Sequence, residues 1–79
     1  IEAQTVRVME NLKNILASID LTLDDVVKTS VFLSNLNDFQ SFNMVYSRYF
    51  DESPPARTTV QAGLIVGALL EIDSIAKKS

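Results

Sequence analysis

Apolar residues recur at helical spacing in two segments of the chain and at strand spacing in three others, and this pattern restricts the fold most. The first segment, residues 2–19, predicts one amphipathic helix. Its predicted apolar stripe consists of Val6, Met9, Leu12, Ile15, Leu16 and Ile19. The second, "DFQSFNMVYSRYF", predicts a helix that ends before Pro54 and Pro55, because proline disfavours helical geometry in the residue before it.

Three segments have the residue types of strands. Residues 26–34, "VVKTSVFLS", are rich in β-branched side chains and predict the first strand, preceded by a turn that Thr22 and Asp25 can cap. Alternation divides this strand into a face with Val27, Thr29, Val31 and Leu33 and a face with Val26, Lys28, Ser30 and Phe32. Residues 57–63 and 68–76 predict two further strands, so the element order is α-β-α-β-β.

This order predicts an α+β fold in which two helices cover one face of a β-sheet. On the last strand, the face that suits the helix layer holds Leu70, Ile72, Ser74 and Ala76. The other face mixes carboxylates with large apolar side chains, as an interface containing a site does: Leu69, Glu71, Asp73 and Ile75. A single domain of 79 residues is near the lower limit for an independent core, so we expect the chain to associate with other copies.

Composition excludes several classes of function. The formal net charge is −3 and no basic stripe is present, which argues against nucleic acid as the main ligand. The chain has no cysteine and no histidine, so thiol nucleophiles, imidazole bases and nearly every zinc or iron site are excluded. The longest apolar run, "GLIVGALL", is too short to span a bilayer, and we expect a cytoplasmic protein without a membrane partner.

The stretch "PPARTTV" contains the first candidate site residue. Arg57 opens the second strand just after two prolines, and Thr59 lies on the same side of that strand. Arginine is always charged and presents a planar fork that binds a carboxylate through two hydrogen bonds. Arg57 therefore predicts a receptor for a small carboxylic acid, with the Thr59 hydroxyl and backbone N–H groups as further donors. The alternative is a surface ion pair with Asp51 or Glu52.

Two further polar residues lie in apolar surroundings. Glu71, in the middle of the last strand, either faces solvent or occupies an apolar setting in which it holds and deprotonates a water. If the last two strands are antiparallel neighbours, Glu71 and Arg57 approach one another and form a compact hydrolytic site. Asn43 interrupts the aromatic row of the second helix, so its amide either bonds to backbone or faces a substrate or a neighbouring subunit.

Four segments, in this order, resemble the YjgF/RidA (Rid) family of enamine/imine deaminases: "IEAQTVRVMENLKNIL", "VVKTSVFLSNLNDFQSFNMVYSRYF", "PPARTTV" and "GALLEIDSIA". The resemblance covers essentially the whole chain. It implies a chorismate-mutase-like subunit and a homotrimer with sites in the clefts between subunits. It also implies a reaction without cofactor or metal, in which enamines and their 2-imino acid tautomers are hydrolysed to 2-oxo acids and ammonia.

The resemblance also assigns roles to individual residues. Arg57 corresponds to the arginine that binds the substrate carboxylate, and Thr59 to a residue that contributes its backbone to the same pocket. Glu71 corresponds to the glutamate that positions or activates water. Asn43 matches a pocket asparagine, and Phe39 a neighbouring aromatic residue.

The chain departs from the family pattern in two places. Strands that carry a pocket tyrosine and a Ser-Gly segment usually precede the "IEAQT" position, so residues 1–79 are expected to be one Rid-type domain truncated at its N-terminus. The link between "TV" and "GAL" is also shorter than usual and lacks the customary "LP".

Three other functions remain alternatives to the deaminase. A non-catalytic trimer would keep Arg57 as an anion receptor without turnover. An endoribonuclease or translation inhibitor is disfavoured by the acidic charge balance. A chorismate mutase is disfavoured because the chain has few of the cations that a dicarboxylate requires.

Overall fold

The computed structural model describes residues 1–50 and 54–78, and within them the elements follow the predicted order α-β-α-β-β. The elements are α1 (Glu2–Ala17), β1 (Val26–Leu33), α2 (Phe39–Ser47), β2 (Ala56–Gln61) and β3 (Leu70–Ala76). A short 3₁₀ turn precedes β1, and the side chains of Thr22 and Asp25 form the capping box that the sequence predicted. A second 3₁₀ turn, Leu36–Asp38, is capped by Asn35, whose Oδ1 accepts from the N–H of Asn37 at 2.9 Å.

The three strands form one sheet in the order β2-β1-β3. The central strand β1 is parallel to β2 and antiparallel to β3. The chain passes through α2 between β1 and β2, which allows these two strands to run parallel. The condition for an approach of Glu71 and Arg57, that β2 and β3 be antiparallel neighbours, is therefore not met, because β1 separates them.

Helix α1 packs on the sheet along a narrower stripe than the sequence predicted. Thr5, Met9 and Leu16 are buried, and Leu12 packs against the core at its edge. Thr5 replaces an apolar residue in this stripe because its hydroxyl donates to the carbonyl of Ile1 at 2.8 Å, so no polar atom is left unpaired. The remaining members of the predicted stripe are exposed: Val6, Ile15 and Ile19.

The start of β1 contains an irregularity that the alternating pattern did not predict. Val26 pairs with Ala76 while Lys28 pairs with Ile75, so one residue of β1 is inserted between these pairs. As a result Val26 is buried and Val27 is exposed, the reverse of the predicted faces. From Thr29 onward the predicted alternation is confirmed, with Thr29, Val31 and Leu33 buried.

Both helices lie on one face of the sheet, as predicted. Buried side chains of the core between the layers are Met9, Leu16, Val26, Val31, Leu33, Phe42, Tyr46, Phe50 and Leu70. Ile72 and Ala76 pack against this core from β3, which confirms the predicted inward face of that strand. The opposite face exposes Val60 and Ile75. Within residues 1–50 and 54–78, neither helix has the length and apolar character required to cross a membrane.

Candidate anion site

Arg57 lies on the face of the sheet that the helices cover. It pairs in register with the buried Thr29 of β1, and side chains of paired residues share one face. Its guanidinium carbon lies 5.0 Å from the ring centroid of Tyr46, 5.2 Å from that of Phe39 and 6.0 Å from that of Phe42. The faces of aromatic rings attract cations at such distances, so the aromatic side chains of α2 stabilise the Arg57 charge by cation–π interactions.

Asn43 holds the same guanidinium by a hydrogen bond. Nη1 of Arg57 donates to Oδ1 of Asn43 at 2.5 Å, and Asn43 is half-buried on α2. A guanidinium has five N–H donors, so the bond to Asn43 leaves others with which to bind a carboxylate. The structure thus brings together the predicted residues Arg57, Asn43 and Phe39. Asp51 and Glu52, the alternative partners of Arg57, lie outside the described residues.

Tyr46 has a structural role that sequence analysis missed. Its hydroxyl and that of Thr29 are hydrogen-bonded at 2.8 Å, and both residues are buried. This bond ties α2 to the central strand and fixes the ring that faces Arg57. The spacing of Tyr46 within the aromatic row was visible in the sequence, but its partner is 17 positions away and on another element.

A cavity of about 330 Å³ opens beside Arg57. Its lining consists of Asn43, Tyr46, Ser47, Phe50, Pro54, Pro55 and Arg57. Thr59 lies two residues further along β2 on the same face, next to Val31. The Thr59 hydroxyl oxygen is buried without a hydrogen-bond partner among the residues described, so it retains capacity to bind a ligand or a water.

Glu71 lies on the opposite face of the sheet. It pairs with Phe32 of β1, whereas its neighbours Leu70 and Ile72 point into the core. The side chain is exposed and borders a second cavity of about 310 Å³. That cavity is otherwise lined by Gly63, Leu64, Ile65, Ala68 and Leu70.

One copy of the chain does not bring Arg57 and Glu71 together. Their strands flank β1 on opposite sides, about 10 Å apart at the usual strand spacing, and their side chains point away from each other. The predicted approach of the two residues within one chain is therefore wrong. Its physical reason is the strand order, because a central β1 puts β2 and β3 at opposite edges.

A separate polar cluster at the surface connects α1 to the segment that follows α2. The Tyr49 hydroxyl donates to Oε2 of Glu10 at 2.8 Å, and Nζ of Lys13 lies 3.7 Å from the same oxygen. Burial and the hydrogen bond and charge of Glu10 raise the pKa of Tyr49 above 10.0. In residues 1–50 and 54–78, no group of three or more His, Cys, Asp or Glu side chains is placed to hold a metal ion.

Comparisons of the sequence and of the fold with known proteins identify relatives from one family. Residues 1–78 match the family model described as Endoribonuclease L-PSP. A RutC family protein of Saccharolobus solfataricus is 50% identical over 80 residues, which cover 100% of this chain and 64% of the relative. The chain thus spans slightly less than two thirds of the length of that relative.

Two solved structures superpose closely on the chain. The structure of RidA from the Antarctic bacterium Psychrobacter sp. has a TM-score of 0.91 at 40% identity and covers 96% of this chain and 63% of its own. The structure of E. coli TdcF with bound serine has a TM-score of 0.93 at 36% identity, with coverages of 99% and 63%. The fold and the match over residues 1–78 together establish that this chain belongs to the Endoribonuclease L-PSP family, the family of the YjgF/Rid proteins.

Proposed function

We propose that this protein is a cofactor-independent enamine/imine deaminase that hydrolyses 2-iminopropanoate and 2-iminobutanoate to 2-oxo acids and ammonia. The observation that carries this proposal is the Arg57 guanidinium, held by Asn43 and by aromatic rings at the mouth of a cavity. A fixed cation with unused donors is suited to a small anionic substrate. Membership of the Rid family supports imine hydrolysis as the reaction.

Arg57 binds the substrate through its carboxylate. Two N–H groups of the fork bind the two carboxylate oxygens, and the Thr59 hydroxyl is an additional partner on the same face. The relative TdcF has been solved with bound serine, which carries a carboxylate next to a carbon that bears nitrogen, and this supports a small amino-acid-like acid as the class of ligand. Holding the carboxylate orients the adjacent C=N carbon for attack.

Glu71 acts as the general base. It removes a proton from a water, whose oxygen bonds to the C=N carbon while the imine nitrogen takes up a proton. The resulting carbinolamine loses ammonia as its C–N bond breaks, and the 2-oxo acid remains. The sum is one imine and one water converted to one 2-oxo acid and one ammonia, with no oxidation or reduction.

The complete site requires two copies of the chain. Arg57 and Glu71 face opposite sides of one sheet, so Glu71 must come from a neighbouring copy to reach a substrate held by Arg57. Val60 and Ile75 on the open face offer apolar surface for such contact. The family resemblance favours a homotrimer with sites between subunits.

The direct test is Arg57→Ala in an imine hydrolysis assay. A pyridoxal-phosphate dehydratase generates the imine, and formation of 2-oxo acid is measured in competition with semicarbazide trapping. We expect a roughly 100-fold or greater loss of kcat/KM, because the carboxylate loses its charged, bidentate partner. Arg57→Lys retains the charge without the fork and should recover only part of the activity.

Arg7→Ala is the matched control, since Arg7 is exposed on α1 and is not among the residues that line the cavity. It should keep wild-type turnover. A folded, oligomeric wild-type protein that binds 2-oxo acids without releasing ammonia would contradict the deaminase proposal and favour a carboxylate-binding protein. Salt-sensitive binding and cleavage of RNA would favour the endoribonuclease instead.

A further inference from the structure

The loop between β2 and β3, residues 62–69, is anchored at both ends on the end of β1. The N–H of Ala62 donates to the Leu33 carbonyl at 3.0 Å, and the N–H of Ser34 donates to the Leu69 carbonyl at 3.0 Å. Between these anchors, the tip residues Ile65 and Val66 are 83% and 104% exposed. One hydrogen bond lies within the loop, from the N–H of Ala68 to the Ile65 carbonyl at 3.0 Å, and an exposed tip is ordered further by a contact with another element.

Gln4 of α1 supplies that contact. Its Nε2 donates to the carbonyl of Gly67 at 3.0 Å, and its Oε1 accepts from the N–H of Leu69 at 2.9 Å. A side-chain amide has the same donor and acceptor as a peptide group, so Gln4 pairs with the loop as a neighbouring strand would. The two bonds hold the segment that leaves the left-handed turn at Gly67, where φ is +88°.

The clamped segment leads directly to the candidate base. Leu69 precedes Leu70 and Glu71, and the loop supplies most of the wall of the Glu71 cavity. Movement at Gly67 or Leu69 would therefore move the cavity wall and the start of β3 together. We propose that Gln4 is a positioning residue that fixes the loop wall and the setting of Glu71, an inference that rests on the proposed deaminase function.

The test is Gln4→Met, which removes the donor and the acceptor while keeping the length of the side chain and its helix propensity. Gln40→Met is the matched control, because Gln40 is an exposed glutamine on α2. Three quantities are measured: hydrogen exchange of the Leu69 amide, kcat and KM for imine hydrolysis, and the Kd of a 2-oxo acid bound at Arg57.

In Gln4→Met we expect faster exchange at Leu69 and a roughly tenfold fall in kcat, because a displaced base lowers the rate more than it lowers binding. The 2-oxo acid Kd should change less than about twofold, since Arg57 binds the carboxylate and the hydrogen bonds of Gln4 go to Gly67 and Leu69 instead. A general loss of structure would weaken this Kd as well. The control should match wild type in all three measurements.

Two results would overturn the inference. Unchanged exchange at Leu69 would show that Gln4 does not hold the loop. Faster exchange with an unchanged kcat would show that the loop does not set the position of Glu71. A wild-type protein without turnover would instead contradict the deaminase function and, with it, the catalytic half of this inference, whereas Leu69 exchange would still test the clamp.

Discussion

At the scale of single residues, the anion site depends on how Arg57 is held. An arginine near the start of an edge strand would ordinarily sample many rotamers, and restricting its side chain to one of them costs conformational entropy. Here the hydrogen bond to Asn43 and the ring of Tyr46 restrict the guanidinium before any ligand arrives. Because the side-chain entropy of Arg57 is already lost in the free protein, the carboxylate of the proposed substrate would meet a cation that is in position.

The bond between Tyr46 and Thr29 supports this arrangement and leads to a prediction about stability. Tyr46→Phe should lower the free energy of unfolding by about 1–2 kcal/mol, because it leaves the buried Thr29 hydroxyl unpaired. Thr29→Val should cost a similar amount by itself. The double variant lacks both hydroxyls, so no buried polar group is left unpaired. Its loss of unfolding free energy should therefore be smaller than the sum of the two single losses. Urea unfolding of the four proteins measures the coupling, and strictly additive costs would contradict it.

At the scale of elements, the loop between β2 and β3 connects the two edges of the sheet across the end of β1. The loop needs one residue with positive φ, which Gly67 provides, whereas Gly63 has no such conformation. A methyl group built at either glycine meets no atom within 4 Å. The two positions therefore differ in backbone conformation and not in available space.

This difference predicts opposite outcomes for the same substitution. Gly67→Ala should lower the free energy of unfolding by about 1–2 kcal/mol, because a Cβ is disfavoured in the left-handed region. Gly63→Ala should be neutral or should stabilise by about 0.4–1 kcal/mol, because it restricts the unfolded chain without native strain. Thermal or urea unfolding compares them, and equal effects at both glycines would be inconsistent with this explanation.

At the scale of the whole molecule, the sheet separates the two residues that the proposed reaction requires. Arg57, the proposed anion receptor, lies on the face covered by the helices, and Glu71, the proposed base, lies on the open face. In the proposed mechanism, neither face by itself is sufficient for hydrolysis. Assembly would join unlike halves from neighbouring copies, so activity should depend on association and fall on dilution below the dissociation constant.

Mixed assemblies test this division. Arg57→Ala and Glu71→Ala chains, each inactive alone, should regain activity when they are unfolded and refolded together. In a randomly mixed 1:1 cyclic assembly, about one quarter of the interfaces combine an intact Arg57 with an intact Glu71. The mixture should therefore reach about one quarter of wild-type activity in the imine assay.

Separate refolding of the two variants followed by brief mixing is the control and should give no activity. Failure to recover activity after joint refolding, although mixed oligomers form, would contradict a site shared between copies. Because one chain holds the two residues on opposite faces of the sheet, it would also remove Glu71 as the base for a substrate bound at Arg57.

The sequence alone determined the elements and much of their burial. The spacing of apolar residues within a short stretch of sequence distinguishes helices from strands. This spacing predicted the order α-β-α-β-β and the inward face of β3. Residue chemistry made Arg57 and Asn43 candidate site residues, and the family resemblance then assigned both to a substrate pocket. The structure joins the two side chains by a hydrogen bond.

The tertiary structure decided how these elements are combined. The central position of β1, the inserted residue that buries Val26, and the clamp from Gln4 to the loop join residues distant in sequence. Local periodicity carries no information about which strands become neighbours. For the same reason the opposite orientation of Arg57 and Glu71 follows only from the strand order, because each strand alternates in the same way wherever it lies in the sheet.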